Sequence, residues 1–355
     1  MEFKAKQTVN RGFSLIELLT AMGILSVLML LMTSLMDEVQ KSWRFGEDRL
    51  SQFREARVAF DLMTKNMSQA TMNTYWDYEY TDAGNIKSYE KKSELHFMTA
   101  YNTDVEGKLG LSGKLPTLGH VVFFQAPLGS SVSYRNLSNL FNGRGYLVVH
   151  DSDEDFRPSF IKTDRTRFRL MEFRPPAEEN QVFEDAIDEA ENDQPQKIED
   201  WWNQGLGGNF VTHLNPLAEN IVLLVVSPME SLGDGSNRYE VSGDLSDNYK
   251  FDSADTTSSH SKQVPPLVRV VMVAIDESTA VLLEEKFQGG MPDIFPAGSL
   301  FRNVDNYNSD VEALIEHFNK IGRDDGVKIN YRVFSTTVML RAAKWLTAGP
   351  GNSSN

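Results

Sequence analysis

The chain has 355 residues, a net charge of −15 and no cysteine. That acidity speaks against a nucleic-acid partner, which draws on clustered Lys and Arg, and the missing thiols exclude disulfides, thiol catalysis and acylation of a cysteine. With 41% hydrophobic residues and a mean hydropathy of −0.36, the chain reads as a soluble body on a membrane stem, one large or two medium domains by length.

The stem comes first. A polar leader, MEFKAKQTVNRG, carries Lys4, Lys6 and Arg11 against Glu2. Behind it, Phe13 to Met36 is an apolar run of 24 residues in which Glu17 is the only charge. At 1.5 Å per residue that is roughly 36 Å of helix, enough for a hydrocarbon core of about 30 Å. Positive charge ahead of an apolar span keeps its own end cytoplasmic, so the remainder points outward. A carboxylate inside such a span costs about 2.5–3.5 kcal/mol on insertion scales, so it calls for a partner. Snorkelling to the interface, or an ordinary uncleaved anchor, are the plainer alternatives. The run is too long for a secretory signal and lacks a small-residue cleavage site after it.

The nonamer RGFSLIELL, Arg11 to Leu19, resembles the prepilin signal of type IV pilins and type II secretion pseudopilins: a glycine, a phenylalanine, then a glutamate fifth after the cut. The resemblance implies cleavage by prepilin peptidase between Gly12 and Phe13, methylation of the Phe13 amine, and Glu17 as the conserved-type acid of assembly. Four residues place Glu17 about 6 Å along the helix from that new terminus. The amine of a neighbouring subunit is then a fitting counter-charge, and head-to-tail contacts of that kind build helical filaments.

From Val39 onward apolar or small residues recur at steps of three and four, through Trp43, Gly46, Leu50, Phe53, Ala56, Phe60, Met63, Met67 and Ala70. This predicts one helix from Phe13 to about Thr71, with a flexible point at Gly46 and its second half packing a bulky stripe onto a sheet. The arrangement resembles the pilin fold, and Arg49 to Ala70 is similar to the J-type minor pseudopilin of type II secretion.

Strands are expected at Leu95–Tyr101, His120–Ala126, Gly145–His150, Arg167–Arg174, Asn220–Ser227, Leu267–Asp276 and Lys328–Leu340. The alternation of Arg167 to Phe173 predicts one wet face, and the continuous apolar run Ile221–Val226 predicts a central strand. Helices are expected at Ser278–Phe287 and at Asp310–Ile321, the latter with Ser309 and Glu312 in capping-box spacing and a stop at Gly322. The class is α+β, with antiparallel sheet. The predicted divisions are a cleaved leader at 1–12, a transmembrane or filament-core half-helix at 13–36, an amphipathic half at 37–71, and an extracytoplasmic pilin-like body at 72–347. Polar insertions fall at 177–204 and 231–263, the second read as a mobile surface loop, and a disordered tail at 348–355. Leu217–Glu230 and Tyr331–Trp345 are also similar to the Verru_Chthon cassette protein C family, prepilin-signal proteins of unknown role.

Chemical sites are scarce. The histidines at 96, 120, 150, 213, 260 and 317 include no pair at helical metal-binding spacing. His317 is expected as a surface or packing residue. Gly107 to Lys114 fails as a phosphate loop in glycine spacing and in Leu115. Asp151, Asp153 and Asp155 alternate as a calcium loop opens, but Phe156 and Lys162 occupy its glycine and closing-acid places. Asp244, Asp247, Asp252 and Asp255, and Asp324–Gly326, are further acidic groups. Calcium is carried as a weak candidate, and no other cofactor is expected. Trp201 and Trp202 with Phe210 form either an exposed patch for sugars or a partner, or an anchor for the acidic insertion, the anchor being favoured.

These residues point to a structural subunit without catalysis: a minor pseudopilin of a type II secretion or type IV pilus-like filament. It would be single-pass in the inner membrane, with prepilin peptidase and other pilins as partners. The alternative is a membrane-tethered binding module or adhesin, and a tethered hydrolase is third.

Overall fold

The computed structural model describes residues 14–81, 83–133, 139–179, 202, 210–229, 248–258, 260–296, 300–324 and 328–343; for residues 42, 44–52 and 90 it describes the backbone only. The chain divides into two compact units, Met1–Ser51 and Gln52–Asn355. One helix, α1 (Leu15–Met67), begins in the first and ends in the second. Helical conformation runs unbroken through Gly46. The part of α1 in the second unit buries Ala56, Ala59, Phe60, Met63 and Met67, with Phe53 partly covered. All but Ala59 are positions the three-and-four spacing selects, while Arg57, Asp61 and Lys65 stay exposed.

Eleven strands are present among the described residues. β1 (Tyr75–Tyr80) and β2 (Ile86–Lys92) form a separate two-stranded ribbon. β3 (Phe97–Tyr101) leads through a short helix α2 (Asn102–Val105) to β4 (His120–Pro127), β5 (Phe141–Ser152) and β6 (Thr166–Phe173). With β7 (Leu214–Glu219) and β9 (Phe251–Asp252) these make a six-stranded antiparallel sheet, order β7-β6-β5-β4-β3-β9. β8 (Ile221–Met229), β10 (Leu267–Ile275) and β11 (Tyr331–Met339) form a three-stranded antiparallel sheet, order β11-β10-β8. Two helices complete the body, α3 (Glu277–Phe287), capped by the Asp276 side chain on the Thr279 N–H, and α4 (Tyr307–Asp324). The class is α+β and pilin-like.

The two sheets and the outer part of α1 share one core. Val122, Phe124, Tyr146, Val148, Phe168 and Leu170 of the six-stranded sheet belong to the same buried cluster as β8, β10, Phe60 and Met63. The opposite face of that sheet is covered too. Val121, Phe123, Leu147, Val149, Met171 and Phe173 lie under Leu109, Leu111 and Leu115 on one side and Trp202, Phe210 and Leu214 on the other. A sheet covered on both faces has no wet side.

Several expectations therefore need correction. β6 is buried along almost its whole length despite its alternating charges. Arg167 is 4% exposed and Arg169 3%. Arg167 meets Glu284 of α3 and lies 3.5 Å from Glu277. Arg169 donates to the carbonyls of Asp151 (2.7 Å), Ser152 (3.2 Å) and Arg165 (3.1 Å) and sits 3.3 Å from Glu219. Partners, not water, satisfy these charges. β8 is continuously apolar without being central, because β10 occupies the middle position; β8 is buried because it stacks between the sheets. α4 starts earlier than its spacing suggested. Asn303 caps a 3-10 turn (Val304–Asn306) that runs into it, and Ser309 lies inside the helix, its hydroxyl bonded to the Asn306 carbonyl at 2.8 Å. α4 also continues past Gly322. The described end of the 231–263 insertion is packed rather than a surface loop: Tyr249, Ser253, Ala254 and Phe251 are buried against β3. Residues 230–247 and the 348–355 tail lie outside the described residues.

His120, fully buried, ties the sheets together. The Val226 N–H of β8 donates to its Nδ1 at 3.1 Å, and its Nε2 donates to the Phe301 carbonyl at 3.0 Å. Burial pushes its pKa down to about 4, so the neutral ring is the folded form. An unfolded ring titrates near 6.5. Stability from this site is complete above 6.5, falls as pH drops toward 4, and is lost by about 3 kcal/mol at the end of that window. We expect an NMR titration of the folded protein to show His120 protonating near 4. A midpoint near 6.5 would contradict the buried neutral tie.

Candidate functional site

The first unit contributes the chain's most unusual surface. Within Leu15–Lys41 the most apolar stretch of the helix has a mean hydropathy of 2.3, and none of that stretch is buried. At 1.5 Å per residue this segment is about 40 Å long, enough by length and composition to cross a membrane. Leu15, Ile16, Leu30 and Met32 are each more than 70% exposed. Three hydroxyls of the segment are satisfied within the helix. Thr20, Ser26 and Thr33 donate to the carbonyls of Ile16, Met22 and Met29 at 2.8–2.9 Å, a local bond that hides the donor within the helix.

The helix start is built from Ser14 and Glu17. The Ser14 N–H donates to Glu17 Oε2 at 3.0 Å, and the Glu17 N–H donates to Ser14 Oγ at 3.3 Å. This is a capping box, in which two otherwise unpaired amides are satisfied reciprocally, and the negative side chain sits at the positive end of the helix dipole. The sequence reading had assigned Glu17 only an intermolecular partner and missed this local one. Gly12 and Phe13 lie outside the described residues.

Residues 8–33 match the family model of the prokaryotic N-terminal methylation motif. The chain carries a type IV prepilin-like signal. Such a signal marks pilin-like substrates of prepilin peptidase, and among the described residues one helix is long and apolar enough to serve as a membrane anchor. No curated protein matches the chain.

Several acidic positions of the prepilin-like chain's body are engaged by groups of the chain itself. Asp151 pairs with Lys114. Asp153 accepts from the Arg165 N–H at 3.1 Å and faces Arg157 at 3.4 Å, while Arg157 also reaches Asp164. Asp155 is exposed at the turn. Asp252 is paired with buried His96 at 2.6 Å, and that bond keeps its carboxyl below the usual range although burial acts the other way. Asp255 caps its own turn through Thr257. Asp244, Asp247 and Asp325 lie outside the described residues. Among the described residues no group of three His, Asp or Glu side chains converges as a metal site would require. His317 is half-buried on α4.

The aromatic anchor is real at two of its three positions. Trp202 is 3% exposed and stacks on Phe123 with centroids 5.1 Å apart at 11°. Phe210 stacks on Phe173 at 4.6 Å. Phe123 in turn lies across Gly145, where a Cβ would collide with its ring. Trp201 is outside the described residues. An exposed aromatic surface exists elsewhere, where the strand pattern had not been read. In the β1–β2 ribbon, Trp76, Tyr78 and Tyr80 alternate onto one face, with Tyr89 directly opposite Tyr78. All four are exposed, and the Tyr78 and Tyr89 rings are 4.4 Å apart. The other face carries ion pairs, Asp77 with Lys92 at 2.9 Å and Glu79 with Lys87 at 2.7 Å. The signal was present in YWDYEY as strict alternation.

Asp153 organises the β5–β6 connection through the Arg165 N–H and the Arg157 guanidinium. We expect Asp153→Ala to lower body stability by about 2 kcal/mol, the usual cost of losing charge-assisted bonds to a half-buried acceptor. Denaturant unfolding in calcium-free buffer checks this. Equal stability of the two proteins there would mean that the carboxylate's role is not structural.

Proposed function

We propose that the chain is a minor pseudopilin, a structural subunit of a type II secretion or type IV pilus-like filament. Prepilin peptidase cuts between Gly12 and Phe13, the Phe13 amine is methylated, and residues 13–36 enter the filament core. Lys4, Lys6 and Arg11 keep the leader cytoplasmic, which sets the helix in the inner membrane with the body on the extracytoplasmic side. The reading needs no cofactor. The observation that carries it is an apolar helix surface, exposed over its whole length, with a single acid one turn from the cleavage point.

Glu17 suits assembly for a reason visible in its own chain. The capping box engages Oε2 and fixes the side chain near the helix start. A carboxylate has about four lone-pair sites, so an amine from a neighbouring subunit adds to that bond without breaking it. In a low-dielectric filament core this pairing offsets the cost of holding the charge away from water. Other pilins with the same helix are the partners that can supply both the amine and the apolar cover.

A second reading, a membrane-tethered binding module, is favoured by the aromatic face of the β1–β2 ribbon. Mass spectrometry of the membrane fraction separates the two. The pseudopilin reading expects a mature chain starting at methylated Phe13, whereas an intact Met1 terminus supports the tethered module. Glu17→Gln sharpens the test, because glutamine still closes a capping box but carries no charge. It should be cleaved normally yet enter filaments at least about tenfold less, a loss equivalent to about 1.4 kcal/mol. Wild-type incorporation of that variant would end the charge-pairing mechanism.

A further inference from the structure

The sheet edges of the body are not treated alike. β7 carries Pro216 and ends on Glu219; β9 is two residues long; β8 holds Pro228 and is fully buried. The ribbon strands carry Asp77 and Glu79 on β1 and Lys87, Lys91 and Lys92 on β2. Proline, brevity, burial and charge are the usual protections against edge-to-edge pairing. β11 has no proline, is neither short nor fully buried, and carries little charge. Its nine residues, YRVFSTTVM, include no proline, glycine or lysine and a single charge, Arg332.

Among the described residues no strand pairs with that edge, and its register with β10 is uninterrupted. β11 pairs with β10 along its entire length, from Leu267 opposite Met339 to Ile275 opposite Tyr331. Phe334 packs on Phe60 of α1 at 5.8 Å, and Val338 is buried. On the other side of the strand Val333 is 37% exposed and Met339 68%, with Ser335 and Thr337 exposed between them. Among the described residues, none hydrogen-bonds to the outward backbone groups of this strand. Roughly every second residue of an edge strand turns its N–H and C=O outward, so β11 offers a rigid row of donors and acceptors, which lowers the ordering cost of binding an extended segment.

We propose that this edge is the contact for a second copy of the same chain, β11 against β11 in antiparallel register about Ser335. The sequence is self-complementary in that alignment. Tyr331 faces Met339 of the second copy, Val333 faces Thr337, Phe334 faces Thr336 and Arg332 faces Val338, so no like charges meet and the β-branched Thr336 and Thr337 oppose Phe334 and Val333. The pairing is isologous and closes at two copies. The protected state of the other edges blocks β11 from joining a different edge of this chain, which leaves its own equivalent as the matching surface. This inference rests on the body's sheet and goes beyond the reading of the N-terminal helix.

The chain has no cysteine, so a single introduced thiol reports one contact. Directly opposed residues of an antiparallel pair have Cα atoms about 4.5–5.5 Å apart, within disulfide range. In the full-length protein in detergent, Ser335→Cys should form a covalent dimer on mild oxidation, while Leu282→Cys, on exposed α3, should not. Ser335→Lys and Ser335→Asp, each opposing itself in the pair, should run as monomers by light scattering, and an equimolar mixture should regain the dimer mass. No cross-link at 335, or a dimer that survives Ser335→Lys in a folded protein, overturns the proposal. Neither result bears on the mature terminus at Phe13, so failure here is distinct from failure of the pseudopilin reading.

Discussion

An apolar helix surface that remains exposed in its own chain must be covered by something else, and that constraint governs the first unit. Over Leu15–Lys41 the apolar side chains stand exposed while the hydroxyls among them turn back onto helix carbonyls. Thr20, Ser26 and Thr33 are thereby satisfied without water, and in the apolar run up to Met36 the one charged side chain is Glu17. Lipid covers such a surface equally on all sides and offers nothing to a carboxylate; neighbouring helices cover it and bring charged termini. Glu17 discriminates between these two covers, which is why the capping box matters. It keeps the acid at the helix's first turn, where the dipole favours it and where an incoming amine can reach it.

The second unit solves the opposite problem, how to hide charge. Its six-stranded sheet is sealed on both faces, one by β8, β10 and α1, the other by the 103–119 connection and the side chains of Trp202 and Phe210. Charged residues caught in that sandwich are kept by local partners. Arg167 and Arg169 are met by acids from α3 and β7 and by backbone carbonyls. Glu172, buried beside Arg144, accepts from the Tyr146 hydroxyl at 2.9 Å, and Asn66 of α1 donates to that same hydroxyl at 2.9 Å. Removing one member of such a group leaves a buried charge without compensation, which costs more than the pair contributes. The network therefore fixes α1's outer turns to the sheet by polar specificity as well as by apolar packing.

How much of this the sequence showed depended on whether a pattern had one physical cause or two. The stripe from Phe53 to Ala70 was legible because burial on one helix face is the only reason for that period. The strand at Arg167–Phe173 was legible as a strand but not in its environment, since alternating charge looks the same whether water or an arginine's partners satisfy it. Ile221–Val226 was misplaced because stacking between sheets buries a strand as fully as a central position does. The Ser-x-x-Glu spacing is the clearest case. Read at Ser309–Glu312, it yielded to Asn303 and a preceding 3-10 turn; left unread at Ser14–Glu17, it is where the box forms. At the start of the chain the cleavage motif drew attention to the glutamate's distant role and away from its nearest neighbour.

The β1–β2 ribbon shows how a two-stranded element persists without a sheet to join. Such ribbons are marginal in water by themselves, and this one is braced on both faces by different means. Ion pairs cross the strands on one side, Asp77–Lys92 and Glu79–Lys87; on the other, the Tyr78 and Tyr89 rings meet at a tilt of 48° and the Tyr89 hydroxyl donates to that of Tyr78 at 2.7 Å. The bracing leaves Trp76 and Tyr80 displayed, 64% and 59% exposed. A ribbon whose charged face already holds it together has its aromatic face available for contact. The body thus presents two unlike surfaces, rings on a protected ribbon and bare backbone on β11. The first recognises by side chain and tolerates variety in its partner; the second recognises by backbone and demands an extended one.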